Sequence, residues 1–484
     1  MKNKRFNGLN IKLHVSITIF LILMAGLCLA QEPGNEKKLP FKIDEEKELS
    51  EMDIENKKEG WYPTGVPLFT SDPIEGLGFG AKGYLYNNGK KSDPFFPYTT
   101  YRTKVSLQVF YTTKNEREVE LNFDIPYIFN SRWRIRGGGF YERDPNLLYF
   151  GIGESSLNPL SYYVNNDTTQ QFVTNARYNQ REKNLSYRRK GRSGEAATVT
   201  DAKYNGYDFE AGVFNLSAER TYMEGRLRVV GGMEISKTRV YDFYNKEVEG
   251  VDPLTGQKLK TFNGKTKLRE DYEAGKINGY KGGWLNFLQV GLVYDTRDLE
   301  PDPGKGWFIE ATHEYSGKYI LSDFNFSKDF IQAKYFTKLL PKKFKKLILA
   351  SRLGISATTG QAPFFEYREV WATEEHFLAL GGLRSLRGYK MDRFTAPVIG
   401  FGNVELRWRF YDRKILNQHF AFNFVPFFDF GRVWNDIKRV NLSGYKYNEG
   451  LGLRVAWNQA TIIIFDYAYS KEDSQFFFNF EHIF

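Results

Sequence analysis

The chain has 484 residues, with 68 Lys+Arg against 58 Asp+Glu for a formal charge of +10, an aromatic fraction of 17%, 44 Gly and a single Cys. One cysteine excludes an internal disulfide framework, aromatics this dense exclude a solvated disordered chain, and no apolar run after residue 30 reaches the roughly 18 residues of a spanning helix. A large β-rich protein is left, either a soluble sandwich or a transmembrane barrel.

Lys2, Lys4, Arg5 and Lys12 precede an apolar run from Val15 to Leu29, and Cys28-Leu29-Ala30 fits the small-x-small pattern of a leader peptidase site. Residues 1–30 therefore read as a cleaved signal peptide that directs export. Its removal would leave 64 basic residues against 58 acidic ones, a charge near +6, and would take away the only cysteine, Cys28. Residues 31–72 are charged and poor in apolar side chains, as in Asp44-Glu45-Glu46-Lys47-Glu48 and Asn56-Lys57-Lys58-Glu59. Such a stretch cannot bury a core of its own. The expectation is a short, flexible periplasmic tether ahead of a barrel over residues 73–484.

The alternation along that region predicts strands near 75–87, 100–112, 117–126, 132–142, 146–154, 205–218, 223–243 and 284–297. It continues with 306–317, 329–339, 346–358, 400–411, 421–433, 449–457, 461–469 and 475–484. Sixteen is an even number, as a closed antiparallel barrel with both termini on one side demands. On this count the short turns near 113–116, 219–222, 298–305, 340–345 and 458–460 are periplasmic, and the long connections 155–204, 244–283 and 359–399 lie on the outer side.

Val105, Leu107, Val109 and Tyr111 alternate with Lys104, Ser106, Gln108 and Phe110; Val404, Leu406, Trp408 and Phe410 alternate with Asn403, Glu405, Arg407 and Arg409. A soluble sandwich alternates too. Charges on the inward face of several strands, and aromatics crowding the strand ends, favour lipid outside and a wet lumen inside. The fold expected is an all-β, 16-stranded antiparallel transmembrane β-barrel with a long extracellular loop folded inward.

Three motifs stand in order along the barrel. Tyr294-Asp295-Thr296-Arg297-Asp298 runs into Pro303-Gly304-Lys305-Gly306; the loop before the twelfth strand holds Gly381-Gly382-Leu383-Arg384-Ser385-Leu386-Arg387-Gly388-Tyr389; the thirteenth strand carries Phe427-Phe428-Asp429-Phe430-Gly431. Together with the C-terminal Phe484, this set resembles the BamA/TamA superfamily of outer-membrane barrels, also called the bacterial surface antigen family. The family's loop motif has Val where Leu386 stands. The resemblance covers about residues 73–484 and implies a barrel of the bacterial outer membrane, among its lipids.

An Arg between Leu386 and Gly388 can fold inward only where its charge finds a partner. Asp429 and Glu405 share the lumen parity, so Arg387 is expected to pair with Asp429, with Glu405 as second acceptor, and Gly431 leaves room beside them. The resemblance implies the same contact. Asp295, Arg297 and Asp298, beside Gly304 and Gly306, admit a plain reading as turn hydrogen bonding. Arg181, Lys183, Arg188, Arg189, Lys190 and Arg192 read as a basic outer loop. Gly76, Gly78 and Gly80 weaken the first strand, which would meet Phe480 and Phe484 of the last one at a seam that, by resemblance, can open sideways; the same glycines fit close packing of the loop plug against the wall equally well.

Members of this superfamily insert other barrels or export proteins, usually with periplasmic POTRA domains, and residues 31–72 are too short for one. The reading is a barrel that assists insertion or translocation of proteins or lipids, with client outer-membrane proteins and periplasmic partner proteins. The alternative is a passive channel or a surface-exposed structural protein. An enzyme is not expected: His313, His376, His419 and His482 sit in no nucleophile arrangement, and no Gly-x-Ser-x-Gly elbow occurs. Neither metal spacing nor a nucleotide-binding loop is present, so no metal, cofactor or nucleic-acid partner is expected.

Overall fold

A computed structural model describes residues 38–480 apart from 50, 73, 75, 164–171, 186–198, 252–257, 299, 301, 341, 345, 375, 379, 416–417 and 458–460. Phe484, Arg188, Arg189, Lys190, Arg192 and His482 lie outside the described residues. One 16-stranded antiparallel sheet runs in plain chain order and curls into a nearly closed barrel. Its first half is β1 (Trp61–Asp72), β2 (Gly76–Asn87), β3 (Thr103–Thr112), β4 (Arg117–Ile125), β5 (Trp133–Leu148), β6 (Gly206–Tyr222), β7 (Leu227–Asp242) and β8 (Gly282–Asp295). The second half is β9 (Gly306–Ser316), β10 (Asn325–Lys338), β11 (Leu347–Gln361), β12 (Val398–Ile415), β13 (Gln418–Trp434), β14 (Lys446–Trp457), β15 (Thr461–Tyr469) and β16 (Ser474–Phe480).

The count of sixteen holds, but two of its members change. Residues 61–72 form β1, hydrogen-bonded to β2 along their whole length, so the barrel starts at Trp61 and not at residue 73. Residues 146–154 form no separate strand. Pro145 has no donor to give, and the β5 ladder shifts register between Asp144 and Leu147 and then runs on to Leu148. Asp144 accepts the Asn146 N–H at 2.7 Å across that bulge. Moving the first strand also moves the 113–116 turn to the end of the long loops, and brings the 88–102 connection to the end where β1 begins and β16 finishes. Gly76, Gly78 and Gly80 therefore sit in the second strand, between β1 and β3, and not at the seam.

Period-2 alternation decides the two faces. Leu288, Val290 and Leu292 of β8 are half exposed on the outside, as are Leu451 and Leu453 of β14, while Gln289, Glu310, Lys334, Arg352 and Arg454 turn inward and are buried. Trp61, Trp133, Trp284 and Trp307 lie outward near strand ends, where an indole sits at the lipid–water boundary. The inward charges do not face a wet lumen in the second half of the barrel. Residues 362–397, between β11 and β12, fold inside and cover them. Phe364 and Phe365 of this loop pack with Tyr149, Tyr207, Phe209, Phe287 and Phe326 in the outer half.

Residues 38–60 ahead of β1 dock against the 88–102 connection, where a flexible tether is expected from the sequence. Leu49 N–H donates to the Pro97 carbonyl (2.8 Å), and Lys57 Nζ donates to the carbonyls of Phe96 and Thr99 (2.6 Å each). Phe41 packs against Phe95 and Tyr127, and a short helix, α1 (Glu51–Asn56), leads into β1.

Candidate functional site

Gly381–Tyr389 crosses the lumen and delivers Arg387 to the wall formed by β12–β15. Its guanidinium is wholly buried and bonded on every side: Nε and Nη2 donate to Asp429 at 2.8 and 2.6 Å, and Nη1 donates to Glu405 and Asp466, both at 2.9 Å. The face of the group lies 3.3 Å from the centroid of the Phe427 ring. A planar fork meeting a carboxylate side-on fixes both direction and distance, which a lysine could not do.

The carboxylates are held in turn. Asp429 accepts from Asn403 (2.8 Å) and Asn448 (2.9 Å), and Glu405 accepts from Arg454 (2.8 and 2.5 Å) and Arg407 (2.9 Å). Three guanidiniums, of Arg387, Arg407 and Arg454, thus face three carboxylates, of Glu405, Asp429 and Asp466. The balance lets the cluster lie away from water, because each buried charge has an opposite one in hydrogen-bonding reach.

Small residues make the approach possible. A Cβ on Gly388 would stand 2.6 Å from Asn448 Cβ and 3.0 Å from Ser470 Cβ, so only glycine brings the loop backbone this close to the wall. The Gly388 carbonyl accepts from Ser470 Oγ at 2.7 Å. Gly381 (φ +120°) and Gly382 (φ +83°) turn the chain into this position, and Leu386 is fully buried. Leu380 packs over Gly431 of β13. Tyr389 is buried against Phe394, and its hydroxyl donates to the Tyr447 carbonyl.

The sequence reading names Arg387, Asp429 and Glu405; it misses Asp466 and the bridging role of Arg454. Asp466 is the one charged residue of β15. A lone carboxylate in an apolar strand was the available signal.

The Asp295 motif does more than turn the chain. Asp298 does accept from the backbone of Gly304 (2.9 Å) and Lys305 (3.2 Å), as a turn residue would, and Gly306 has φ +112°. Arg297 bonds Asp295 locally (3.0 Å) but also reaches Glu374, at the tip of the lumen loop, with 2.9 Å to each carboxylate oxygen. Arg228 joins both, at 3.2 Å from Asp295 and 2.8 Å from Glu374. Glu310 accepts from Thr373 N and Oγ1 beside them. Oxygens of Asp295, Glu300 and Glu374 lie within 4.8 Å of one another. Arg228 contacts all three, so their charge is met by guanidinium and the donor set is that of an ion-pair network.

The Omp85 superfamily domain model matches residues 102–482. The chain belongs to this family. A second model, a domain of unknown function (DUF5982), matches residues 39–102, the part that holds the docked segment, β1, β2 and the connection after them. No curated protein matches. Among solved structures, the chain is similar to BamA from Haemophilus ducreyi lacking POTRA domains 1-3, at 13% identity and TM-score 0.47, over 88% of this chain and 70% of that one. It is also similar to CdiB from Escherichia coli, at 9% identity and TM-score 0.48, over 85% of this chain and 58% of that one. CdiB from Acinetobacter baumannii matches at 12% identity and TM-score 0.43, over 88% and 60%. As an Omp85-family barrel the protein is one of the outer membrane.

Proposed function

We propose that this Omp85-family barrel assists the insertion or translocation of proteins at the outer membrane, with the inward loop as its plug and the β1–β16 seam as its exit. Client outer-membrane proteins and periplasmic partner proteins are its proposed contacts. The family's barrels act in assembly and transport and not as enzymes, which supports the reading.

The observation that carries it is the edge of β1. No ladder joins β1 to β16 among the described residues. Gly60 exchanges backbone bonds with Asn88 and Gly89 of the β2 side, so by alternation Trp61, Pro63, Gly65, Pro67, Phe69 and Ser71 turn their amide positions toward the seam. Pro63 and Pro67 have no N–H to give there. Two of the six donor positions on that edge are blank, which keeps closure weak and frees the edge for an incoming strand.

The test is reconstitution of the full barrel in vesicles with a urea-unfolded outer-membrane β-barrel protein as client. Faster folding of the client than in empty vesicles is expected. No acceleration, together with large, steady ion flux, would overturn the assembly reading in favour of a passive channel.

A further inference from the structure

We propose that the N-terminal segment 38–60 and the tip of the lumen loop are the two arms of one lock at the periplasmic mouth, joined through a shared charged node. The loop leaves the outer end after β11, yet its tip, Thr373-Glu374, lies among Arg228 of β7, Arg297 after β8, Glu310 of β9 and Arg136 of β5. Arg228 and Arg297 mark the end of the barrel where β6 turns into β7 and β8 turns into β9. The loop therefore passes through the depth of the barrel.

The docked segment reaches the same node from below. Asp44 N–H donates to the Glu224 carbonyl (2.9 Å), and the Asp44 carboxylate takes the Arg226 guanidinium at 2.5 Å. The Arg226 carbonyl in turn accepts the Asp295 N–H at 2.7 Å. Lys47 Nζ lies 3.9 Å from the Asp295 carboxylate, whose other contacts are Arg228 and Arg297. Charges thus alternate without a break from Lys47 through Asp295 to Arg228 and Arg297 and on to Glu374. Between segment and wall a cavity remains, lined by Lys47, Leu49, Tyr101, Arg134, Glu219 and Glu300 among others.

The consequence is mutual. Undocking the segment takes a cation from Asp295 and an anion from Arg226; withdrawing the loop tip takes the carboxylate of Glu374 from two buried guanidiniums. Either departure unbalances the node that the other arm binds, so each arm holds the other in place. Because Gly60 leads straight into Trp61, the lock also fixes the periplasmic end of the seam strand. This inference concerns how the barrel is held shut and does not depend on what it carries.

The test uses the full chain carrying Cys28→Ser, refolded in vesicles, with one reporter cysteine for each arm: Leu49→Cys in the segment and Ala372→Cys at the loop tip. Both sites are buried, so the rate of maleimide labelling reads the opening of each arm. Glu374→Gln should speed labelling at position 49, and Lys47→Gln should speed labelling at position 372, each by about fivefold or more. Asp412→Asn, which breaks an exposed pair with Lys346, should move neither. Folding is checked by heat-modifiable migration; if Glu374→Gln does not fold, Lys47→Gln read at position 372 decides alone. Variants that speed only the reporter of their own arm would overturn the proposal.

Discussion

Arg387 and Asp429 stand 42 residues apart in the chain and meet through two side-chain hydrogen bonds, of 2.6 and 2.8 Å, with no solvent exposure on either side chain. The loop residue supplies the cation, and the wall supplies the anion from the middle of β13. The contact places a length of outer loop inside the barrel, and Glu405, Asp466, Arg407 and Arg454 complete it.

Removing one partner of such a cluster costs more than the pair itself contributes, because the remaining charges stay buried. Arg387→Ala leaves three carboxylates facing two guanidiniums. A loss of about 3–5 kcal/mol in unfolding free energy is expected, measured by urea unfolding of the barrel in detergent or vesicles. Asp429→Asn keeps the shape and some hydrogen bonding, and should cost less. Equal stability of wild type and Arg387→Ala would place the loop outside the lumen.

The seam gives a prediction of opposite sign. Pro63→Val with Pro67→Val restores two N–H donors on the free edge of β1. At about 0.5–1.5 kcal/mol for each net hydrogen bond, the double variant should unfold about 1–3 kcal/mol later in urea and should aid client insertion less. Unchanged stability and unchanged insertion would mean that β16 does not meet this edge.

Lys57 ties the docked segment to pH. Burial pushes its amine down to about 7, against the attraction of Asp93 and with a smaller push from Arg102. Undocked, the amine titrates near its ordinary 10.5. Between these values the free segment binds the extra proton, so docking releases one and strengthens as pH rises from about 7 towards 10.5. The neutral amine still donates to the Phe96 and Thr99 carbonyls. Protease cleavage within residues 38–60 should therefore slow between pH 6.5 and 9 (about two to three units across the lower value), and Lys57→Met should flatten the dependence. Faster cleavage at the higher pH would contradict the assignment.

Much of the barrel is legible because lipid and lumen impose a strict period of two, and the loop motif singles out its wall partner by parity. Other parts depend on neighbours that the local sequence does not name. β1 hides its alternation behind Pro63, Gly65 and Pro67, and it is a strand only because β2 pairs with it along one edge. Pro145 looks like a strand boundary, and the sheet absorbs it as a bulge. Asp466 announces a buried charge but not its partners, which β14 and the loop bring from 12 and 79 residues away. Glu374 carries no sign in the sequence of how deep its loop descends, and the Asp295 motif therefore reads as a turn until the loop tip is seen against it.

On this reading the inward loop, held by Arg387, closes the pore. Single-channel conductance of the refolded barrel beside its Arg387→Ala variant tests it most directly. Low, flickering conductance that rises in the variant is the predicted result; large and steady conductance in both would contradict the plug.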